Sequence, residues 1–591
     1  MTLAKEKKTE TEKIPEEVIS AGKIKKMWES AQHYKNTLGL PTRWEQNDKF
    51  IAGDQWPALP SNAHPQLKQM PRPVFNICKQ IVNFKGAAVK SENIKMIFSP
   101  FGSGASEGVA FGDDIKDIGE LLNRLTEVTW ERTKMDFVAS RTVDRSAVTG
   151  IGITYFHWDK NVKSSVVGAS FVGDIQAECL DAMYVGFGNP QELDVQKQPY
   201  IIVAGRTTVK NARETAKAEG LKPELIQLIN SDTYTDTKYY GSQTEIDEAE
   251  KLTLYTMFWK EGGFVHYAKS TDGVVLKTSK LNLRRYPFSI FNWEERIDCI
   301  YGSDEVSSII PNQKALNGLW AMELMSKQLM GFPKMLIDTR YVDARLVTNT
   351  VGEIIKANKA NMPLQYDPIR YIQPTQGTQN TQNIVEMMMQ KTKDISGANE
   401  AVTGEANTNN ASAIMLLQKS SGMPTEDIRR RYYQYIEDIG GIFVDFYRGY
   451  YETERMMQYK KSDGGYGMVP FDGKILEGVD FTIRSDIGAS SVFADSNAIS
   501  TLDKLVQLQM IGKVEYLKLL PKSAAPFKEE LLAIWKKEAE LRQELQAQEA
   551  MAQQTAEPSL EQQMSMEIEQ PPEQENPERL RLQEEYGQPQ S

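Results

Sequence analysis

Apolar positions follow a helical period over the first part of the chain and change to alternation near residue 151. Residues 23–52 read as one helical stretch, anchored by Trp28, Trp44 and Phe50 and stopped at Gly53. Residues 54–73 contain Pro57, Pro60, Pro65, Pro71 and Pro73, too many for regular structure. A helix over 77–91 places Ile77, Ile81, Val82 and Val89 near one face. Residues 94–98 read as a short strand, a Gly/Ser loop follows, and a long helix covers 112–148.

From Ile151 the pattern is β-branched and aromatic, predicting strands at 151–158, 166–171, 201–205, 252–259, 263–268 and 274–276. Gly262-Gly263 and Thr271-Asp272-Gly273 are hairpin breaks, and 210–230 is a small helical insert. The strands do not alternate regularly with helices, so the fold class is α+β with an antiparallel sheet rather than a doubly wound one.

Helix returns with Ser303 as its cap, and Asp304 and Glu305 suit the positive end of its dipole. Pro311 interrupts or kinks it, Leu316, Leu319, Trp320 and Leu324 keep the period, and Gly331-Phe332-Pro333 ends it. Short strands and loops fill 334–377, a helix covers 379–395, and 397–410 is a Gly/Asn/Thr-rich loop. A long helix over 411–459, kinked at Gly422-Met423-Pro424, carries a broad stripe that includes Ile428, Tyr435, Ile439, Phe443 and Tyr447. A β segment at 479–484 precedes helices at 496–511, stopping at Gly512, and 527–545. Beyond these the chain is Gln/Glu/Pro-rich, with too few apolar residues to offset the entropy of ordering; it is expected to be disordered or helical only at its start.

Charge changes the picture by its position. The 591 residues hold 69 Lys+Arg against 80 Asp+Glu, a net of −11, which argues against a free nucleic-acid binder. Residues 538–591 contain 13 Glu and only three basic residues, a net of −10, so residues 1–537 sum to −1. With 40% hydrophobic and 25% charged residues, the body is globular, at about 150 residues per domain roughly three or four units. Cys78, Cys179 and Cys299 are widely spaced and odd in number, which excludes a disulfide framework and points to a reducing compartment. The N-terminus has no apolar signal segment and no run is long enough to span a bilayer, so a soluble, intracellular or particle-borne protein is expected.

Candidate chemistry is sparse. Gly102-Ser103-Gly104-Ala105-Ser106-Glu107-Gly108 has its third glycine one place late for a dinucleotide loop, and no GxxxxGK[ST] occurs. His33, His64, His157 and His266 are isolated, and HExxH is absent; His157 and His266 read as hydrogen-bonded sheet residues. Asp113, Asp114 and Asp117 read as a solvated face. Arg429-Arg430-Arg431 point three ways on a helix, as a solvated face or intersubunit ion pairs rather than a phosphate track. The tyrosines at 432, 433, 435, 447, 450 and 451 read as core and interface. No catalytic, metal or cofactor site is expected.

Several segments in order resemble the portal proteins of tailed bacteriophages, especially the P22-like and related prophage portals of Gram-positive hosts. They are Phe50-Ile51-Ala52-Gly53-Asp54-Gln55-Trp56, preceded by Asn47-Asp48-Lys49, then Arg72-Pro73-Val74-Phe75-Asn76-Ile77, and Tyr301-Gly302-Ser303-Asp304 with Ile309-Ile310-Pro311. Asp394-Ile395-Ser396-Gly397-Ala398-Asn399-Glu400 through Thr403-Gly404, Asn410-Ala411-Ser412-Ala413-Ile414, and Asp486-Ile487-Gly488-Ala489-Ser490 complete the set.

The resemblance implies a portal fold: long kinked helices, an antiparallel β wing, a stem helix pair and a helical crown. Residues 1–22 would be a mobile segment, 23–302 wing, 303–330 the first stem helix and 331–378 the clip. Residues 379–396 would be the second stem helix, 397–410 the tunnel loop, 411–494 the wing's long helix and β segment, 495–545 crown and 546–591 a disordered tail. It also implies a non-enzymatic homo-oligomeric ring of about twelve subunits at a capsid vertex. Double-stranded viral DNA would pass through it, assembly would occur in the host cytoplasm, and no membrane would be involved. Implied partners are the terminase large subunit, a head–tail adaptor, and the major capsid and scaffolding proteins. Loop residues Thr403, Gly404, Glu405, Asn407, Thr408, Asn409 and Asn410 would face the channel; they include one acid and no base, fit to touch a sliding duplex without gripping it. The competing readings are an ATPase or nuclease subunit of the packaging machine, which needs a carboxylate–metal site, and a tail adaptor.

Overall fold

The computed structural model describes residues 19–537 apart from 102–113, 164–171, 233–249, 349–353, 373–378, 398–410, 452–454, 461–465, 488–491, 521–526 and shorter gaps. The chain divides into two compact units, 1–490 and 491–591.

The first unit opens with α1 (Ala21–Thr37) and α2 (Leu40–Ala52) where a single helix is predicted. Gly39 breaks it: its φ of 64° is left-handed, and Pro41 restarts the helix in its first turn. Gly53 does cap α2. The predicted helix at 77–91 is α3 (Ile77–Lys90), and β1 (Ile94–Phe101) follows. The helix expected over 112–148 is again two, α4 (Asp114–Arg132) and α5 (Met135–Thr149), separated at Lys134, whose φ is 51°.

Next come β2 (Ile151–Lys163), β3 (Val172–Leu180), β4 (Val185–Phe187) and β5 (Tyr200–Thr208), then the helical insert α6 (Val209–Ala218) and α7 (Pro223–Gln227). β6 (Lys251–Glu261) and β7 (Phe264–Ser270) fall where alternation places them; β8 (Val275–Lys280) runs four residues past the expected 274–276, and β9 (Phe288–Asn292), β10 (Glu294–Arg296) and β11 (Cys299–Ser303) are additional. The strands form a five-stranded sheet ordered β4-β5-β6-β7-β8 and a three-stranded sheet ordered β3-β2-β9, with antiparallel pairing throughout, as α+β requires. The strand expected at 166–171 lies outside the described residues.

Helix α8 (Val306–Gly331) contains Pro311, and β12 (Lys334–Ile337) pairs with β13 (Ile369–Ile372) before α9 (Gln379–Ser396). Helix α10 (Ala411–Tyr450) ends nine residues before the predicted 459, because Arg455–Lys460 forms β14 against β15 (Tyr466–Phe471). Strand β16 (Asp480–Ile487) returns to β1 in register from Ile94↔Ile487 to Phe101↔Asp480. The tyrosine-rich stripe of α10 is core: Tyr435, Ile439, Phe443, Phe446 and Tyr447 are buried. The Tyr435 and Tyr447 hydroxyls, costly to bury unpaired, meet Thr154 at 2.7 Å and Thr129 at 2.8 Å.

The second unit holds α11 (Val492–Gln507) and α12 (Lys513–Leu519). Gly512 opens α12 instead of stopping its predecessor, its amide donating to Glu515 Oε2 at 3.1 Å. The Tyr516 hydroxyl donates to Asp503 at 2.6 Å and ties the two helices together. Within the helix expected at 527–545, Leu531, Leu532, Ile534 and Trp535 are helical.

Candidate functional site

Three of the segments singled out in the sequence, around 47–56, 72–77 and 301–311, meet at the root of α8. Two short strands deliver the chain there through a close backbone crossing. Gly302 (φ 56°) and Gly150 (φ 86°) lie back to back, and a Cβ on Gly302 would sit 2.5 Å from the Gly150 carbonyl oxygen. Ser303 is the last residue of β11, so Asp304 replaces the predicted serine cap: its carboxylate accepts from the Ser307 amide at 2.7 Å. Buried Asn47 donates to that carboxylate and to the Val148 carbonyl, both at 2.8 Å, and Arg43 lies 3.3 Å from the other carboxylate oxygen. Glu305 accepts from Lys85 at 2.7 Å and from the Trp293 indole at 2.9 Å. Both acids thus meet the helix dipole with partners in place.

Two turns on, Gln313 and Asn317 face inward at i, i+4. Gln313 Oε1 accepts from the Ile77 amide at 2.9 Å, an orphan donor in the first turn of α3. Its Nε2 donates to the Phe75 carbonyl at 2.7 Å and to Asn317 Oδ1 at 2.9 Å. Asn317 donates to Gln55 at 2.7 Å, and Gln55 donates to the Phe50 carbonyl at 2.9 Å. Asn76 donates to the carbonyls of Phe50 and Ile51, each at 3.0 Å, and Trp56 to that of Pro73 at 3.0 Å. The Phe50–Trp56 and Arg72–Ile77 segments therefore hold the stretch that follows α2, and both hold α8.

Beyond its root α8 pairs with α9, where the Asn312 amide donates to the Thr392 hydroxyl at 3.3 Å. The β12–β13 pair ends in a cluster in which Arg340 and the Tyr366 hydroxyl bind Asp338 at 2.8 and 2.9 Å. Arg340 holds the Asp338 carboxyl well below the usual carboxylate range. Apolar side chains crowd the surface of this stretch: Met322, Leu336, Tyr371 and Met387 are exposed, Ile354 is 84% exposed and Ile395 81%. Val342 is buried within this stretch, but these residues leave a wide apolar surface.

The predicted loop residues 403–410 lie outside the described residues; α9 ends at Ser396. Of the arginine triplet, Arg429 donates to the Ala88 carbonyl at 3.3 Å and Arg431 to that of Trp293 at 2.7 Å, leaving Arg430 outward with Asp427 at 4.0 Å. Two of the three are therefore braces within the chain. His157 and His266 lie in β2 and β7 as expected, but both ring Nδ1 atoms are buried without a hydrogen-bond partner; the rings stack on Tyr155 and Trp259. Among the described residues no group of three His, Cys, Asp or Glu could hold a metal, and no helix is long and apolar enough to cross a membrane. Gln313 and Asn317 were the residues that sequence reasoning left without a role. Their only signal is two amides at i, i+4 on α8, in a stretch that also holds Asn312 and Lys314.

The amides of Gln313, Asn317, Gln55 and Asn76 pair with one another and with backbone groups at helix ends and turns, which makes this network a joint at the root of α8, a structural feature. The model of the phage P22-like portal protein family matches residues 42–577, and the chain belongs to that family. No curated protein matches it. It is thus a bacteriophage portal protein, the head–tail connector of the virion, and its family is structural.

Proposed function

We propose that about twelve copies form a ring at one capsid vertex, through which double-stranded DNA is packaged and later ejected. The ring would also dock the terminase large subunit and a head–tail adaptor, and meet the major capsid and scaffolding proteins during assembly in the host cytoplasm. The observation that carries this reading is the family match over residues 42–577. The exposed apolar residues of α8, α9 and the β12–β13 stretch support it, since neighbouring copies would cover them.

In this reading residues 23–302 and 411–494 are wing, α8 and α9 are the stem pair, 331–378 is the clip, and α11 and α12 belong to the crown. The chain is not an enzyme: a separate terminase ATPase moves the DNA. Gly397 to Asn410 is the tunnel loop, touching DNA through Thr403, Gly404, Glu405, Asn407, Thr408, Asn409 and Asn410. Few cations at that surface keep counterion-release affinity low, so the duplex slides.

Two experiments test this. The Asn407→Arg, Asn409→Arg double variant is expected to assemble normally and to package DNA less efficiently, scored as DNase-protected genome in an in vitro packaging reaction. Normal packaging removes the loop from the channel. Truncation before Glu538 removes a net charge of −10. If the acidic tail keeps DNA from adhering near the channel mouth, the truncated ring retains more duplex in a low-salt filter assay than the full ring; equal retention leaves the tail without that role.

A further inference from the structure

A cleft of about 540 Å³ is lined by both sheets and by α10 in the first unit. One wall is a face of the five-stranded sheet, on which the ladder aligns Phe258, Tyr267 and Ser279 in one row and Thr256, Lys269 and Lys277 in the next. Tyr155 and His157 of β2 line it as well.

The second row breaks a rule of sheet design. Lys269 and Lys277 are direct partners in the β7–β8 ladder, and like charges placed opposite one another destabilise an antiparallel pair. Lys277 is relieved by an ion pair with Glu219. Lys269 is partly buried, and among the described residues no carboxylate lies within ion-pair distance of it. Burial, and then the neighbouring Lys277, pull its ammonium below the usual lysine range. Lys160 and Lys280 also line the cleft, and the one carboxylate among its lining residues is Glu178. The His157 Nδ1 in the same lining is buried without a hydrogen-bond partner. Glu219 offsets part of this repulsion, but Lys269 is left without an ion pair of its own and His157 Nδ1 without a hydrogen bond, which fits a site whose missing partner is a ligand.

We propose that this cleft binds a small organic phosphate of the nucleotide class, its phosphate held by Lys269 and Lys277 and its planar ring against Tyr155 and Tyr267. The adjacent ammonium groups of Lys269 and Lys277 suit a dianion, and aromatic walls suit a flat ring because every base has a π-face. The volume lies within the roughly 300–1,000 Å³ usual for small-molecule sites. A site of this kind goes beyond the portal role.

The test is isothermal titration of the purified full-length protein at low salt with deoxyadenosine monophosphate and, separately, with inorganic phosphate. The nucleotide is expected to bind, inorganic phosphate about tenfold more weakly or worse, and Lys269→Met to weaken the nucleotide by about tenfold or more. Lys269→Arg, which keeps the charge, should retain binding. Because Lys269→Met removes the repulsion with Lys277, it should also melt at or above the wild-type temperature. No nucleotide binding by the wild type, equal affinity for inorganic phosphate, or unchanged affinity in Lys269→Met overturns the proposal. If Lys269→Met fails to fold, the wild-type comparison of the two ligands still decides it.

Discussion

Gly302→Ala is expected to destabilise the first unit by about 2–5 kcal/mol and to reduce soluble yield sharply. A left-handed backbone costs an alanine about 1–2 kcal/mol, and overpacking adds about 1–3 kcal/mol. Neither can be relieved by a side-chain rotation, because the new Cβ would meet the backbone oxygens of Gly150 at 2.5 Å and Glu294 at 2.8 Å. Gly205→Ala is the control: it lies in β5, and a Cβ there meets nothing within 4 Å. Thermal melts of the two variants should separate clearly, with Gly205→Ala within about 0.5 kcal/mol of wild type. Equal melting temperatures would mean that the crossing before α8 is looser than drawn.

Gln313→Leu is expected to cost about 1–3 kcal/mol and to disturb assembly more than its stability loss alone explains. The leucine fills similar space but removes Gln313 from the Ile77 amide and the Phe75 carbonyl, which keep each other at 2.8 Å, and leaves buried Asn317 Oδ1 unpaired. Each buried polar group left unpaired costs about 1–3 kcal/mol. Gln313→Glu separates the terms: it keeps an acceptor for Ile77 but turns lone pairs on Phe75 and Asn317. Both variants should lower the melting temperature and broaden the distribution of oligomer sizes, read by native mass spectrometry. A uniform wild-type assembly in both would show that the joint does not set the direction of the stem.

How much of this was legible beforehand depended on how local the cause was. Helix α3, helix α9 and the β6–β7 hairpin stand where their periods put them, since capping, alternation and Gly262-Gly263 act within a few residues. The breaks at Gly39 and Lys134 were not read, because a helical period runs through both and only the backbone turns left-handed. Nor were β9 to β11, short strands whose pairing partners confer the strand state. The end of α10 failed for the same reason: 451–459 is helix-compatible, but β15 offers a ladder and Phe471 packs on Tyr451.

The joint shows the limit most clearly. Its segments were conspicuous by family resemblance, which assigned them to a portal without saying what Asn47, Gln55, Asn76 or Asp304 do. Their partners lie up to 262 residues away, so no local pattern pairs them.

Electron microscopy of the purified full-length protein tests the portal reading most directly. The account predicts closed rings of about twelve subunits around a central hole wide enough for duplex DNA. A population of monodisperse monomers at micromolar concentration would contradict it.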